Sequence, residues 1–423
     1  MLNATTPGLP ARLASGRPIA GYNGFDPSAP SLHIGHLVPI FGLLQLQRHG
    51  GRPVAVLGGG TGMIGDPSGR SSERNLLDRE TLAANVAPIG SQLERYLDFS
   101  GSAGAALVNN LDWLDEIGLI DWLRDVGKHF TIPYMLAKDS VQVRLERGLS
   151  FTEFSYMLIQ ATDFEHLHRT MGVELQMGGA DQWGNITAGL ELIRRRAGGG
   201  DETDAAPGPG ASSGGEELAH GLAYKLLLSP SGVKFGKTEG GDSVWLDPER
   251  TSPYAFYQYW LNVDDRDVGT YLRWFTLLSR DEIEALEVGM ATRPDGRAAQ
   301  RVLARDVTAR THGPDTAAHA ERVSEAAFSR VPIRDPAILA TLHDDVAGFV
   351  FSDVDLGGPL AIAAASGLFA SGGDARRAIA QGGLTINDER IGSLDAPVPP
   401  PIDGEWLVVR AGKRRLAIGR RRR

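Results

Sequence analysis

The sequence predicts an α/β protein whose main domain contains an open parallel sheet, followed by a small α-helical domain and a small mixed α/β domain. The apolar segment PVAVLGGG (53–60) has the length of a buried strand and lies between helical stretches that begin near His36 and near Leu76. The hydrophobic period becomes helical from Thr251 to about Ala340, and strand-like segments follow near the carboxyl end. Ligands of open parallel sheets bind beyond the carboxyl ends of the strands.

The composition is that of a folded protein with more than one domain. Of 423 residues, 42% are hydrophobic and 22% are charged, which are ordinary globular values. No run of 18 apolar residues occurs, and residues 1–21 lack the basic start and apolar stretch of a secretory signal, so we expect a cytoplasmic protein without a membrane partner. The absence of cysteine excludes disulfides, thiolate nucleophiles and zinc thiolate sites.

Charge and low-complexity segments divide the chain. The predicted parts are a main domain over 1–250, a helical domain over 251–340, a linker over 341–355 and a mixed domain over 356–423. Within the main domain, residues 197–219 are rich in Gly, Ala, Pro and Ser and are predicted to be a flexible insertion. The net charge is −9, yet residues 374–423 carry 11 Lys and Arg against 6 Asp and Glu. This basic end is therefore the part suited to a nucleic-acid partner.

The glycines after the predicted strand have the spacing of a dinucleotide fingerprint but lack its context. Gly60, Gly62 and Gly65 match the fingerprint. Asp66 and Pro67 follow at once and favour a turn, whereas the fingerprint's glycines open a helix. We therefore interpret the segment as a strand exit that lets a small ligand approach the backbone, and not as a nicotinamide or flavin site.

Two histidines near a predicted helix start form a stronger signal. His33 and His36 flank Gly35, and apolar residues continue at helical spacing from Leu37. A single histidine beside an apolar run is usually structural, but free amides, the helix dipole and two imidazoles together favour a phosphate. The pattern predicts a nucleotide site that needs no P-loop.

A second segment carries two lysines among glycines and serines. Lys234 and Lys237 lie in SPSGVKFGKT (229–238), which by itself could be an ordinary solvated loop. Attack on an α-phosphorus needs mobile positive charge on the departing pyrophosphate, and lysines on a flexible loop can supply it. Together with the histidines, this segment indicates nucleotide chemistry.

A polar stripe is predicted on one helix. Ser150 and Glu153 form a capping-box pattern, and Tyr156, Gln160 and Asp163 then fall on one helix face. Such a stripe can be an ordinary solvent-facing surface. Here the surrounding residues are apolar, which favours a buried polar site.

These motifs resemble the signatures of class I aminoacyl-tRNA synthetases. HIGH at 33–36 matches the first signature, and KFGKT at 234–238 is a variant of the second, KMSKS. The resemblance narrows to bacterial-type tyrosyl-tRNA synthetases through five further blocks in the expected order, GFDPSAPSLHIGH, GDPSG, VGKHF, SFTEFSYMLIQATDF and GGADQWGNI. It extends from about Gly21 to Gly419 and implies a Rossmann-like parallel-sheet catalytic domain.

The resemblance implies roles for individual residues. Those implied in catalysis are His33, His36, Lys234, Lys237 and Thr238. Those implied to hold tyrosine, with Tyr22 and Asp163 on its phenol, are Tyr22, Asp66, Asn110, Tyr156, Gln160, Asp163 and Gln182. Those implied to contact ATP are Gly24, Asp26, His33, Gly35, His36, Arg70, Arg74, Gly179, Asp181, Lys234 and Lys237.

The implied reaction activates L-tyrosine with ATP, giving tyrosyl-adenylate and pyrophosphate, and then transfers tyrosine to the terminal ribose of tRNA(Tyr). Mg²⁺ would accompany ATP, and no protein metal site or tightly bound prosthetic group is expected. A homodimer is implied, with VGKHF and Phe151 near its interface. Asn23 stands where cysteine is common in the family and could still hydrogen-bond the ribose.

The carboxyl-terminal domain resembles an RNA-binding module named after a ribosomal protein, through SGGDARRAIAQGGLTINDERI (371–391). The helical domain would lie near the anticodon, and tRNA contacts are implied at Arg376, Arg377, Lys413, Arg414 and Arg415. The terminal run 420–423 can equally be a solubilising tail. Two other functions stay open: a tryptophanyl-tRNA synthetase, which normally lacks this module, and an RNA-binding or splicing-assisting protein without catalysis, which should have damaged signatures.

Overall fold

The computed structural model describes residues 2–66, 68, 77–101, 103–145, 148–198, 217–227, 235, 242–329, 331–412 and 415–422. The chain forms two compact units. The first comprises Met1–Asp247 and Arg273–Leu277, and the second comprises Pro248–Leu272 and Leu278–Arg423. Among the helices of the described ranges, none has the length and apolar character needed to cross a membrane. Most of the predicted insertion lies outside these ranges.

The first unit is built on a six-stranded sheet. Its strands are β1 (Leu2–Thr5), β2 (Ala20–Phe25), β3 (Arg52–Leu57), β4 (Ala106–Asn109), β5 (Val173–Gly179) and β6 (His220–Tyr224). Its helices are α1 (Leu9–Ala14), α2 (Leu37–Arg48), α3 (Arg79–Leu93), α4 (Leu111–Leu114), α5 (Leu119–Asp125), α6 (Ile132–Leu136), α7 (Asp139–Leu145), α8 (Phe151–Met171) and α9 (Trp183–Ala197).

The strand order of this sheet is β1-β6-β5-β2-β3-β4. All neighbours pair in parallel except β1, which is antiparallel to β6. The chain runs outward from β2 through β3 to β4, and β5 and β6 lie on the other side of β2. The order therefore reverses between β2 and β5, and such a switch point is where α/β sheets bind ligands. The predicted α/β parallel sheet is confirmed, with β1 as an antiparallel edge that the sequence analysis does not predict.

The register brings the carboxyl ends of four strands to one edge. Phe25 at the end of β2 lies opposite Leu57 at the end of β3, and Leu57 lies opposite Asn109 at the end of β4. β5 runs parallel to β2 on its other side. The fold therefore gathers at this edge a group of the residues singled out from the sequence, namely Asp26, His33, Gly35, His36, Asp66, Asn110, Asp181 and Gln182.

Helix α8 begins where the sequence predicts. Ser150 is the N-cap, and its hydroxyl accepts a hydrogen bond from the Glu153 N–H at 3.3 Å. The helix then runs for 21 residues and packs against α9. Tyr156 and Asp163 are buried on it, so the polar stripe is not an outer face.

The second unit contains α10 (Pro253–Leu261), most of α11 (Asp265–Phe275), α12 (Arg280–Thr292), α13 (Ala298–His312), α14 (Pro314–Phe328) and α15 (Pro336–Leu342). A five-stranded sheet follows, ordered β7-β11-β10-β8-β9. Its strands are β7 (Gly348–Phe351), β8 (Leu384–Ile386), β9 (Glu389–Ile391), β10 (Trp406–Ala411) and β11 (Arg415–Arg421), and its helices are α16 (Pro359–Ala365) and α17 (Gly372–Ala380).

Both faces of this second sheet are buried at its central strand, β10. On β10, Leu407 and Val409 belong to the hydrophobic core that includes α16 and α17. Val408 between them belongs to a different core, with residues of α10, α14 and α15. The predicted helical and carboxyl-terminal domains therefore share a core. The predicted linker over 341–355 contains β7, which pairs in parallel with β11.

Helix α2 lies close to β6 at Gly42. The Tyr224 hydroxyl accepts a hydrogen bond from Asn23 Nδ2 and contacts Met177 Sδ, each at 3.2 Å, and a Cβ on Gly42 would collide with this hydroxyl. Asn23 Nδ2 also donates to the Pro39 carbonyl oxygen at 3.3 Å. The Asn23 amide group therefore ties β2 to both α2 and β6.

We expect Gly42→Ala to lower the free energy of unfolding by about 1–3 kcal/mol, because the new methyl group must displace the Tyr224 side chain. Gly289→Ala is the matched control. Gly289 also lies within a helix, α12, and apart from that helix's own nearby backbone no described residue has an atom within 4 Å of its would-be Cβ. Alanine is favoured over glycine there by about 1 kcal/mol. Melting temperatures should fall for the first variant and rise slightly for the second, and equal shifts would contradict the close approach at Gly42.

Candidate active site

The two histidines lie at the turn that leads into α2. Gly35 N–H donates to His33 Nδ1 at 3.0 Å, and His33 N–H donates to His36 Nδ1 at 3.1 Å. Because both Nδ1 atoms accept, each neutral ring carries its proton on Nε2. The ring centroids are 4.1 Å apart. The pair can therefore offer two N–H donors to one anion, which is the chemistry that the sequence predicts here.

One residue of the lysine segment lies beside this turn. A Cβ on Gly35 would be 3.7 Å from the carbonyl oxygen of Phe235. The Phe235 ring is buried and stacks on Phe275, with centroids 5.3 Å apart. The two predicted nucleotide segments thus approach each other through their backbones. The other predicted residues of this group lie outside the described residues, namely Arg70, Arg74, Lys234, Lys237 and Thr238.

A buried carboxylate lies at the centre of the second predicted site. Asp163 Oδ2 accepts a hydrogen bond from Asn110 Nδ2 at 2.9 Å, and Oδ1 accepts one from Trp113 Nε1 at 2.8 Å. Burial raises the pKa of Asp163 to about 7, although both donors oppose the shift. Asn110 is itself fixed, because its Oδ1 accepts from Gly60 N–H at 2.8 Å and its Nδ2 donates to Thr61 Oγ1 at 2.9 Å.

Tyr22 brings a second polar group to this cluster. Its side chain is 3% exposed on β2, and its hydroxyl is buried without a hydrogen-bond partner among the described residues. Burial, and then the charge of Asp163, hold the pKa of Tyr22 well above its usual value, so the phenol stays protonated. An unpartnered buried hydroxyl is costly. This one is suited to a ligand that brings a polar group of its own.

A further polar cluster contains the other predicted amino-acid contacts. Asp66 Oδ2 accepts from Gln182 Nε2 at 2.7 Å, and Asp66 Oδ1 accepts from Ser68 N–H at 2.8 Å. Asn185 Nδ2 lies 3.2 Å from Gln182 Oε1 and 3.0 Å from Gln160 Oε1. The cluster combines one carboxylate with amide groups, which can bind an ammonium and a carboxylate.

Helix α8 contributes to both clusters. Gln160 and Asp163 are three residues apart, or about 4.5 Å along the helix axis. Tyr156 lies one turn before Gln160 and is buried. The arrangement fits a small ligand that is charged at one end and carries a hydroxyl at the other.

The remaining predicted ATP contacts lie at the carboxyl ends of β2 and β5. Apart from its own chain neighbours, no described residue has an atom within 4 Å of the would-be Cβ of Gly24, so the described part of the chain leaves space there. Asp26 follows β2, and its Oδ1 would be 2.8 Å from a Cβ on Gly58. A Cβ on Gly179 would come within 2.5 Å of Asp181 Oδ1. The carboxylates of Asp26 and Asp181 can therefore lie this close to the backbone only because Gly58 and Gly179 have no side chain.

Sequence reasoning misses two residues of the polar clusters. Trp113 donates to Asp163 and lies three residues after Asn110, which is the N-cap of the short helix that carries Trp113. Asn185 contacts Gln160 and lies three residues after Gln182. In both pairs the spacing places side chains on one helix face, so the pairs could have been found from the spacing.

The predicted RNA contacts lie in the second unit. Arg376 and Arg377 are exposed on α17, and Arg377 forms an ion pair with Asp374 at 2.5 Å. Arg415 is exposed on β11, where it donates to the Leu368 carbonyl oxygen. Lys413 and Arg414 lie outside the described residues.

Comparison with known proteins gives consistent matches. Residues 14–329 match the family of class I tRNA synthetases (W and Y). The chain is 50% identical to a tyrosine–tRNA ligase of Anaeromyxobacter dehalogenans strain 2CP-1, over 99% of this chain and 96% of the relative. It is 46% identical to a tyrosine–tRNA ligase of Geobacillus stearothermophilus, over 94% of this chain and 91% of the relative.

A solved structure is also similar. A C-terminally truncated mitochondrial tyrosyl-tRNA synthetase of Coccidioides posadasii superimposes with a TM-score of 0.64 at 31% identity, covering 76% of this chain and 88% of that one.

We expect Tyr22→Phe to stabilise the ligand-free protein, because it removes a buried hydroxyl whose desolvation costs about 1–3 kcal/mol. Tyr224→Phe is the matched control. Its hydroxyl is bonded to Asn23 and contacts Met177, so its removal should lower stability. Differential scanning calorimetry without ligand measures both changes. A lower melting temperature for Tyr22→Phe would show that its hydroxyl is satisfied in the free protein.

Proposed function

The chain belongs to the class I tRNA synthetases of the tryptophan and tyrosine type, and we propose that it acts as a tyrosine–tRNA ligase, an ATP-dependent enzyme of protein synthesis. The family match and the 50% identity over nearly the whole chain confirm the resemblance that the motifs indicate. Its substrates would be L-tyrosine, ATP and tRNA(Tyr), and it would be located in the cytoplasm.

The observation that best supports tyrosine as the amino acid is the presence of two buried polar groups, the Tyr22 hydroxyl and the Asp163 carboxylate, close enough for the charge of one to act on the other. A phenol between them could donate to the Asp163 carboxylate and accept from the Tyr22 hydroxyl, which has no other partner among the described residues. Phenylalanine would leave both groups without a partner and would carry their desolvation cost. The cluster of Asp66, Gln160 and Gln182 would hold the ammonium and carboxylate end.

The first step is attack of a tyrosine carboxylate oxygen on the α-phosphorus of ATP. The bond from that phosphorus to the bridging oxygen breaks, and pyrophosphate leaves. His33 and His36 would donate from Nε2 to phosphate oxygens as charge develops, and Lys234, Lys237 and Thr238 would act on the pyrophosphate. Mg²⁺ would enter with ATP. No enzyme nucleophile is needed, so catalysis depends on position and charge.

In the second step, a hydroxyl of the terminal tRNA ribose attacks the tyrosyl carbonyl carbon, and AMP leaves. The basic end of the second unit is the part of the chain suited to tRNA phosphates. Arg376 and Arg415 are exposed there. Contacts at Arg377, Lys413 and Arg414 remain part of the same proposal.

The two rival functions are less well supported. A tryptophanyl-tRNA synthetase would share the family match, but the relatives that align with nearly the whole chain are tyrosine–tRNA ligases. A protein without catalysis should have a damaged site. Here the histidine turn and the carboxylate clusters are intact in the described residues.

We also propose that the protein is a homodimer. In the first unit, Phe151 is 76% exposed and Ile120 is 73% exposed. Phe151 lines a groove of 410 Å³ together with Leu119 and Trp122. Val126 and Phe130 of the predicted VGKHF segment are buried beneath this face. A second copy of the chain would cover these apolar side chains.

Tyrosine-dependent exchange of labelled pyrophosphate into ATP tests the proposed function. We expect exchange with tyrosine and far less with phenylalanine or tryptophan. Because the pKa of Asp163 is about 7, the carboxylate ionises as the pH rises from 6 to 8, so the KM for tyrosine should fall over this range. In Asp163→Asn, this pH dependence should disappear, and the KM at pH 8 should rise roughly tenfold or more, because a charged acceptor is lost.

The KM for ATP in the same reactions is the internal control and should not follow the change in Asp163. Equal exchange with phenylalanine would contradict a phenol-reading site. A tyrosine KM that is flat between pH 6 and 8 would contradict the role of the Asp163 charge.

Phe151→Asp should shift the protein from dimer to monomer, because a charge would be buried at the proposed interface. Sedimentation velocity measures the mass. Phe328→Asp is the matched control. Phe328 is 79% exposed and belongs to the second unit, so it is not part of the proposed interface on the first unit. A Phe151→Asp variant that remains dimeric, or an unsubstituted protein that is monomeric, would refute the proposed interface.

A further inference from the structure

His166 lies flat against the indole of Trp113. Their ring centroids are 4.5 Å apart and their planes differ by 11°, which is a stacked arrangement. Trp113 is 8% exposed, and His166 is half-buried outside it. Within the described ranges, the imidazole makes no hydrogen bond to another residue. Its ring contact within these ranges is therefore with the indole that supplies a hydrogen bond to Asp163.

One turn of α8 holds Trp113 at two points. Asp163 accepts from the indole N–H at 2.8 Å, and His166, three residues later, covers the indole face. Residues at this spacing lie on the same side of a helix. The first contact fixes the edge of the indole ring, and the second fixes its plane.

The helix that carries Trp113 cannot fix this ring by itself. Helix α4 has four residues, Leu111–Leu114, which is too short to be stable without packing. If the indole turned, Asp163 Oδ1 would lose the one donor that it has among the described residues. A buried carboxylate with fewer donors is harder to ionise, so more of it stays as the neutral acid, which is a weaker acceptor for a phenol.

The imidazole can act here as a neutral ring. Burial, and then the positive charge of Arg169, lower the pKa of His166, while Glu165 opposes them. The stacking of neutral rings is worth about 0.5–1.5 kcal/mol beyond their buried area. A phenylalanine side chain at position 166 could therefore stack on Trp113 in place of the imidazole, but an alanine side chain could not.

We propose that His166 is a positioning residue for amino-acid selection, which stacks on Trp113 and holds its N–H on Asp163. The inference rests on the proposed function, because it concerns how that site reads a phenol. His166 touches no substrate in this scheme and acts through Trp113 alone.

The test compares His166→Ala with His166→Phe in pyrophosphate exchange. The measured quantity is the ratio of kcat/KM for tyrosine to kcat/KM for phenylalanine. His166→Ala should lower this ratio about three- to tenfold, mainly through a higher KM for tyrosine, with the KM for ATP unchanged. His166→Phe should keep the ratio within about twofold of the unsubstituted protein. Arg48→Ala, an exposed change on α2, is the control and should leave the ratio unchanged.

Each outcome decides between a positioning role and a purely structural one. An unchanged ratio in His166→Ala, or equal losses in the alanine and phenylalanine variants, would overturn the proposal. A general loss of folding would lower exchange with both amino acids and the melting temperature together, and His166→Phe would then decide whether the stacked ring sets the ratio. Failure of the proposed function itself is distinguishable, because the unsubstituted protein would then show no tyrosine-dependent exchange.

Discussion

The burial of one carboxylate is the constraint on which the candidate site depends. Asp163 is buried in the first unit, and its oxygens accept hydrogen bonds from Trp113 on the four-residue helix α4 and from Asn110, the N-cap of that helix. The Asn110 side chain is in turn oriented by its hydrogen bonds with the Gly60 N–H and the Thr61 hydroxyl. A buried charge without these donors would be far more costly. The segments after β3 and β4 thus supply the hydrogen bonds that the buried Asp163 carboxylate requires, whereas the Tyr22 hydroxyl has no hydrogen-bond partner among the described residues.

The sheet explains why residues so distant in sequence can serve one ligand. β2 lies between β3 and β5, at the point where the strand order reverses, so segments from both halves of the sheet meet beyond its carboxyl end. The histidine turn follows β2, and the cluster of Asp66, Gln182 and Asn185 joins the segments after β3 and β5. Both ends of an amino acid and a nucleotide can therefore be bound beside the same sheet edge. Such fixed positions favour catalysis by proximity and orientation.

Local rules predict much of this structure. The Ser150 cap, the stripe on α8 and the histidine turn follow from side-chain spacing over a few residues, and the parallel sheet follows from alternating patterns. The contact of Trp113 with Asp163 joins residues 50 positions apart, and no spacing rule links them. Strand β7 escapes prediction for a similar reason: it has four residues, and its partner β11 lies far along the chain. Short strands are defined by their partners more than by their own sequence.

The sheet of the second unit has a consequence for how such a chain can evolve. Successive residues of β10 enter different cores, Leu407 with α16 and α17, and Val408 with the helices that precede the sheet. If recombination replaced only the sheet of the second unit, the face of the new sheet would have to pack against α10, α14 and α15, with which it did not evolve. The second unit is therefore exchanged most easily as a whole, and its exposed surface should change by single substitutions more readily than by shuffling of modules.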